Sequence, residues 1–288
     1  MKFADITNDV AFKKIFANEA KKDILISFLN AVLDFKDEMQ IIHVELANPY
    51  QVPKIEELKE TILDIKATNQ RKEHFIVEMQ KNDKGDFAKR SLYYTSKAYV
   101  SQLESGDKYW TLKKVYFIGI LNFTMFETNS YITRHLILNK ETLKQEIQDF
   151  EFTFIELPKF KKELHELFSI LDKWIYFIKN AKNLTLIPNE YSSIKEFKEA
   201  FEIATQYTWN KKEMEIYDYV DLREQDRLNE IYTAEKKGLQ KGIEEGVKQG
   251  RNEEKIEIAK NLLKAKVDLE TIKLSTGLSD ADIESLRS

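Results

Sequence analysis

Two neighbouring apolar segments, each interrupted by a carboxylate, constrain the fold of this chain more than any other feature. Residues 61–67 (TILDIKA) and 75–80 (FIVEMQ) have the length and the apolar composition of β-strands. A carboxylate in such a strand needs a partner, because burying an unpaired charge is costly. The two acids, Asp64 and Glu78, are therefore the first candidates for a functional site.

The polar connection at 68–74 predicts a hairpin between these strands. A hairpin symmetric about Arg71 places Asp64 opposite Glu78, with the two Cβ atoms roughly 5 Å apart. Two carboxylates at that distance repel each other unless they share a proton or a cation. Their oxygens suit Mg²⁺ or Mn²⁺, so the pair predicts a metal site for phosphodiester hydrolysis. The alternative is that both acids are edge-strand charges that face solvent.

Hydrophobic periodicity predicts an α/β fold, with a sheet flanked by helices and a helical C-terminal region. We expect helices at about 8–16, 20–33, 86–103, 160–179, 194–207 and 211–237, and further strands at 41–46, 115–123, 131–138 and 152–157. Side chains alternate between the two faces of each hairpin strand. In the first strand, Leu63, Ile65 and Ala67 are expected on one face, and Ile62, Asp64 and Lys66 on the other. In the second strand, Phe75, Val77 and Met79 are expected on one face, and Ile76, Glu78 and Gln80 on the other.

The order Asp-Ile-Lys-Ala, a short polar turn and Ile-Val-Glu-Met-Gln resembles the PD-(D/E)XK nuclease superfamily in its Asp…Glu-x-Gln variant. More narrowly, it resembles the Rpn family of recombination-promoting nucleases, also described as transposases. Further motifs extend the resemblance over residues 1–235: 8–16 (NDVAFKKIF), 48–49 (NP), 90–94 (RSLYY), 106–109 (GDKY) and 154–160 (FIELPKF). The resemblance implies a restriction-endonuclease-like mixed sheet flanked by helices.

The resemblance also implies roles for single residues. Asp64 and Glu78 would bind the metal together with the backbone carbonyl of Met79. Gln80 stands where most of the superfamily has lysine, and it can orient a water molecule but adds no positive charge to the transition state. Asp9 is a further candidate acid; alternatively, it is an N-terminal helix charge favoured by the helix dipole. The implied cofactor is Mg²⁺, with Mn²⁺ or Ca²⁺ as substitutes.

A basic stretch follows the proposed site, although the formal net charge of the whole chain is −4. Residues 81–114 contain eight basic and four acidic side chains. Basic groups beside a metal site hold phosphates and position the nucleic-acid backbone. Lys81, Lys89, Arg90 and Tyr94 are therefore candidate DNA-binding residues. The alternative is an ordinary solvated helix face.

Composition restricts the class of site and the compartment. The chain has no cysteine, which excludes disulfides and thiolate zinc sites, and its four histidines are scattered. No apolar run approaches the roughly 20 residues of a membrane-spanning helix, and the first residues do not resemble a signal peptide. We therefore expect a cytoplasmic protein with no membrane partner.

Glycine recurs at every fourth position in the C-terminal part of the chain, at Gly238, Gly242, Gly246 and Gly250. Each glycine lowers helix stability by roughly 1 kcal/mol relative to alanine, so a compensating contact is expected. We interpret the repeat as a helix that packs closely against another subunit of a homo-oligomer. The alternative is a flexible repeat that links the body of the protein to its tail.

The tail after this repeat resembles a helix-turn-helix, with two short helices expected at about 268–272 and 276–283. Ser279 is a plausible N-cap, because Asp282 follows it at the spacing of a capping box. The last helix is acidic and is a poor surface for DNA phosphates. An interaction or oligomerisation module is therefore favoured over a reader of base sequence.

These observations divide the chain into a nuclease core at 1–158, a helical extension at 159–235, and a glycine-repeat helix with a small tail at 236–288. The extension contains aromatic residues at helical spacing, which are typical of a core rather than of base-stacking groups. These residues are Trp174, Tyr176, Phe177 and Trp209.

The leading hypothesis is a Mg²⁺-dependent DNA endonuclease acting in recombination, or in mobile-element or defence processes. One alternative is a catalytically lapsed protein on a nuclease fold that binds nucleic acid or assembles with other proteins. The uncharged Gln80 and the acidic total charge motivate it. A third hypothesis is a helical-tail scaffold whose body binds protein.

Overall fold

The computed structural model describes residues 1–48, 50–51 and 61–286. Pro49, part of one motif quoted above, lies outside these residues. The chain divides into two compact units, Met1–Asp221 and Leu222–Ser288, which are described separately. The helices and strands are α1 Asp9–Phe16, α2 Lys22–Leu33, β1 Val44–Leu46, β2 Tyr50–Gln51, β3 Thr61–Ile62, β4 Ile65–Asn69, β5 His74–Gln80, α3 Phe87–Val100, β6 Val115–Leu121, β7 Ile132–Leu136, β8 Phe150–Glu156, α4 Ile170–Asn180, α5 Lys195–Ala204, α6 Lys211–Lys264, α7 Leu269–Thr276 and α8 Asp280–Ser285.

A mixed six-stranded sheet organises the first unit, in the order β1-β4-β5-β6-β8-β7. The pairs β5–β6 and β6–β8 are parallel, whereas the remaining pairs of this sheet are antiparallel. Parallel neighbours need a crossover connection, which α3 supplies between β5 and β6. All seven residues of β6 are buried, as expected for a central parallel strand. The expected restriction-endonuclease-like sheet flanked by helices is confirmed.

Helices cover both faces of the sheet. Side chains of α1, α2, α4 and α5 form the larger core with one face of the central strands, and α3 packs on the opposite face. The four aromatic residues interpreted as core are buried, which confirms that interpretation: Trp174, Tyr176, Phe177 and Trp209. Among the described residues, no helix combines the length and apolar composition needed to cross a membrane.

Two helix boundaries differ from the prediction. The helix expected from residue 160 begins only at Ile170, because Ser169 and Asp172 form a capping box that fixes its start. The helix expected at 211–237 continues through the glycine repeat, so α6 is a single helix of 54 residues.

The second unit contains the later part of α6 together with α7 and α8. Its small core consists of Ala259, Ile272, Leu278 and Ile283. Gly277 ends α7 in the left-handed region, at φ 65°, and the predicted capping box of Ser279 and Asp282 is present at the start of α8.

Candidate active site

The β4–β5 hairpin has the predicted register. Its partners are Ile65 and Val77, Lys66 and Ile76, Ala67 and Phe75, and Thr68 and His74. The prediction of one continuous strand over 61–67 is wrong, because Asp64 lies in a bend between β3 and β4. The predicted common face of Leu63 and Ile65 is also wrong, since Leu63 packs on the α3 side of the sheet and Ile65 on the opposite side.

Two hydrogen bonds from backbone N–H groups to the carboxylates of Glu78 and Asp64 hold the acids together and account for the bend. The Asp64 N–H donates to Glu78 Oε1 over 3.0 Å, and the Met79 N–H donates to Asp64 Oδ2 over 2.8 Å. These side-chain bonds take the place of ladder bonds that a longer β4 would make with β5. The two acids are thus brought together at the carboxyl end of β5, and Glu78 is only 3% exposed.

The charges around this pair are unbalanced. Burial of Glu78 and repulsion from Asp64 raise the pKa of the Glu78 carboxyl well above its ordinary value. Lys13 of α1 places its Nζ 2.9 Å from Asp64 Oδ1. Burial alone would lower the pKa of Lys13, but attraction to Asp64, with smaller contributions from Asp9 and Glu78, raises it. Asp9, the further candidate acid, thus lies near enough to Lys13 to contribute to the rise in its pKa.

Gln80 is held between Glu78 and a residue of α3. Its Nε2 donates to Glu78 Oε2 over 3.2 Å, and its Oε1 accepts from Arg90 Nη2 over 3.0 Å. Arg90 is itself fixed by Asp86, whose Oδ1 lies 2.8 Å from Arg90 Nε. A lysine at position 80 would offer Arg90 no acceptor and would place two like charges side by side. The amide therefore suits its surroundings better than the usual lysine of the superfamily.

The residues present fit a divalent cation with oxygen ligands. Two adjacent carboxylates lie here beside one ion-paired ammonium, that of Lys13. A strand residue presents its N–H and C=O to the same neighbour, so the Met79 carbonyl faces the Asp64 bend. Among the described residues no group of three His, Cys, Asp or Glu side chains converges on a metal position. Two carboxylates and one carbonyl, completed by water or phosphate oxygens, are typical of Mg²⁺.

A cavity borders the less buried acid of the pair. The Asp64 side chain is 9% exposed, and an open cavity of ≈ 320 Å³ reaches this residue from the side of β1 and β4. Leu46, Ala47 and Lys66 also line it.

The remaining predicted DNA-binding residues lie around the site in different settings. Lys81 is engaged with Asp221 at 3.1 Å and with Asp5 at 3.9 Å. Lys89 is exposed on α3, and Tyr94 is half-buried against the α3-side core. Arg90 contacts Gln80. Among the described contacts, no hydrogen bond or ion pair joins Lys81, Lys89 or Tyr94 to Asp64 or Glu78.

Lys13 is the site residue that sequence reasoning missed. It belongs to the motif at 8–16 already used for the family resemblance, one helical turn after Asp9. That spacing places both residues on one side of α1. The partner of Lys13, however, lies in a distant bend of the chain, which no local pattern indicates.

Comparison with known families gives two matches. The family described as PD-(D/E)XK nuclease family transposase matches residues 6–234. The Rpn/YhgA-like nuclease family, C-terminal HTH domain, matches residues 252–288. Neither the curated proteins nor the solved structures yielded a significant match. The two family matches confirm the resemblance to the Rpn family and the helix-turn-helix character of the tail.

Proposed function

Because the chain belongs to the PD-(D/E)XK nuclease family of transposases, we propose that it is a metal-dependent endonuclease that hydrolyses DNA. The observation that carries this proposal is the interlocked pair of Asp64 and Glu78, two carboxylates held together at the end of β5. We propose Mg²⁺ as the cofactor, with Mn²⁺ or Ca²⁺ as substitutes. The transposase relationship favours a role in recombination or mobile-element processes, with defence as the alternative.

The residues of the site divide the work. Asp64, Glu78 and the Met79 carbonyl would hold the ion. When bound, Mg²⁺ lowers the pKa of a coordinated water molecule and neutralises charge on the scissile phosphate. Gln80 orients the attacking water, since its amide is already fixed by hydrogen bonds at both ends. Arg90 keeps Gln80 in that orientation.

Cleavage of supercoiled plasmid DNA in Mg²⁺ tests the proposal. Asp64→Asn and Glu78→Gln keep the shape of each side chain but remove its charge, so we expect nicking to fall to background. Glu73→Gln is the matched control, because Glu73 precedes β5 at the opposite end and pairs with Arg71. Nicking by both site variants at the wild-type rate would remove the assignment.

A second candidate function is binding of DNA without hydrolysis. It is favoured by the uncharged Gln80 and by Lys13, which occupies one oxygen of Asp64. DNA binding by the wild type, with no cleavage in Mg²⁺ or Mn²⁺, would support this alternative.

We also propose that the chain forms homo-oligomers through α6. Exposed apolar residues follow directly after three of the repeated glycines, namely Leu239, Ile243 and Val247. An added Cβ would meet nothing within 4 Å at Gly238, Gly242, Gly246 or Gly250, so this surface has room for a close partner helix. In the acidic helix α8, Asp280 forms an ion pair with Lys273 of α7. We therefore propose self-association through α6, whereas the HTH-domain match of residues 252–288 supports DNA binding by the tail.

A further inference from the structure

We propose that Lys13 is a catalytic residue that donates a hydrogen bond to a non-bridging oxygen of the scissile phosphate. Its ammonium supplies the positive charge that Gln80 does not. This inference deepens the proposed nuclease function and rests on it.

Position 80 provides no positive charge for the scissile phosphate, because its residue is glutamine. The oxygen of the Gln80 amide accepts from Arg90, and its nitrogen donates to Glu78. The Arg90 guanidinium in turn donates to both Gln80 and Asp86. Arg90, the cation of α3 that contacts Gln80, thus holds the amide in place. We look to another element for a charge beside Asp64.

Lys13 is placed on α1 so that its ammonium lies beside Asp64. Asn8 caps this helix through a hydrogen bond from the Val10 N–H. Its rotation is fixed by a buried face made of Ala11, Phe12, Ile15 and Phe16. Lys13 lies at the edge of that face, with its side chain 39% exposed and its Nζ 2.9 Å from Asp64 Oδ1. The ammonium therefore lies beside a proposed metal ligand, on a side chain that is partly exposed.

The Lys13 ammonium has more hydrogen-bond donors than its contact with Asp64 uses. An ammonium has three N–H donors, and Asp64 Oδ1 accepts from one of them. Lys13 could therefore stay paired with Asp64 while another of its N–H groups donates to a phosphate oxygen bound beside Asp64. The four-carbon stem permits the small adjustment that this contact needs.

The chemistry requires only a fixed charge. Hydrolysis forms a bond from the water oxygen to phosphorus and breaks the bond from phosphorus to the leaving oxygen; the attacking water loses its proton to solvent, and the leaving oxygen takes a proton from solvent. Negative charge on the non-bridging oxygens is best stabilised by donors already in place when the transition state forms. Lys13 remains protonated throughout and transfers no proton.

The test compares Lys13→Met with Lys14→Met in the full-length protein. Lys14 is the matched control, because it is the adjacent lysine and pairs with Glu213 on α6. In Mg²⁺ we expect the single-turnover cleavage rate of Lys13→Met to fall about 10²–10³-fold, the loss typical of a transition-state donor. Lys14→Met should cleave within about twofold of the wild type. Lys13→Gln, whose amide can still donate to Asp64, is the second neutral variant if methionine destabilises the fold.

A second measurement does not depend on cleavage. DNA affinity is measured in Ca²⁺ at several salt concentrations, on samples whose DNA a gel shows to be uncut, since loss of one phosphate-contacting lysine lowers the slope of log affinity against log salt by about one. We expect that decrease for both neutral variants of Lys13 and none for Lys14→Met. A folded Lys13→Gln that cleaves at the wild-type rate, or that keeps the wild-type salt slope, would overturn the inference.

The two proposals fail in different ways. Absence of cleavage by the wild type, or cleavage that survives Asp64→Asn and Glu78→Gln, would remove the nuclease assignment itself. Cleavage that requires both acids but not Lys13 would remove only the present inference.

Discussion

Replacing Gly119 with alanine tests the packing that fixes α3 against the sheet next to the site. Gly119 lies in β6, where it pairs with Glu78 of β5 and with Phe154 of β8. An added Cβ would lie 3.0 Å from ring carbons of both Phe154 and Phe87, and 3.3 Å from one of Phe117. Carbon atoms in van der Waals contact are normally about 3.5–4.0 Å apart, so these rings would have to move.

The rings have little freedom to do so. Phe87, Phe117 and Phe154 are each at most 4% exposed, and their centroids lie 5.9 to 6.2 Å from one another. Overpacking of such a core typically destabilises by about 1–3 kcal/mol. The reduced freedom of the unfolded chain returns about 0.4–1 kcal/mol on replacing glycine by alanine. We therefore expect Gly119→Ala to lower the free energy of unfolding by about 0.5–2 kcal/mol.

Urea unfolding followed by tryptophan fluorescence measures this change, because Trp110, Trp174 and Trp209 all belong to the first compact unit. Phe154→Leu should relieve part of the strain. The double variant should then be more stable than the sum of the single effects by at least about 0.5 kcal/mol. If Gly119→Ala is as stable as the wild type, the packing argument is refuted.

Three further predictions concern the positioning of Gln80, the packing of α4 and the surface of α6. Arg90→Met should reduce the single-turnover cleavage rate about 10–100-fold, because residues that orient a site contribute effects of that size. Burial alone would raise the pKa of Asp172, but its hydrogen-bonded ion pair with Lys162 lowers it below the ordinary value. Asp172→Asn should therefore reduce the free energy of unfolding by about 1–3 kcal/mol at neutral pH, and urea titrations should show that difference shrinking as the pH falls below about 4, through the depressed native pKa. Gly242→Ala with Gly246→Ala should raise the helicity measured by circular dichroism but abolish self-association in sedimentation equilibrium; an unchanged mass would exclude the glycine surface as the contact.

The hairpin register could be predicted from the sequence because it depends on local information. Seven polar residues joined two apolar strands, and symmetry about Arg71 gave pairs that the structure contains. The bend at Asp64 could not be predicted in the same way. It depends on hydrogen bonds from backbone groups to side chains 14 and 15 residues away, and alternation along a strand carries no signal for such bonds.

The start of α4 differs from that case, because its signal was present in the sequence. Ser169 and Asp172 have the spacing of a capping box, and they delay the helix until Ile170 although apolar residues continue the helical period before it. The capping box determines where α4 begins, because the free N–H groups of the first helical turn need hydrogen-bond acceptors. Hydrophobic periodicity alone does not require a helix. Capping signals should therefore take priority over periodicity in fixing helix boundaries.

The contrast between Gln80 and Lys13 explains why a sequence motif is an incomplete guide to this site. The superfamily pattern assigns the positive charge to the strand that carries the second acid. Here Arg90 faces that position, so an amide with both a donor and an acceptor is the better occupant. The positive charge that position 80 lacks lies instead on α1, where Lys13 pairs with Asp64. This charge comes from a residue 51 positions before Asp64, counting from 13 to 64, which only the folded chain brings into contact.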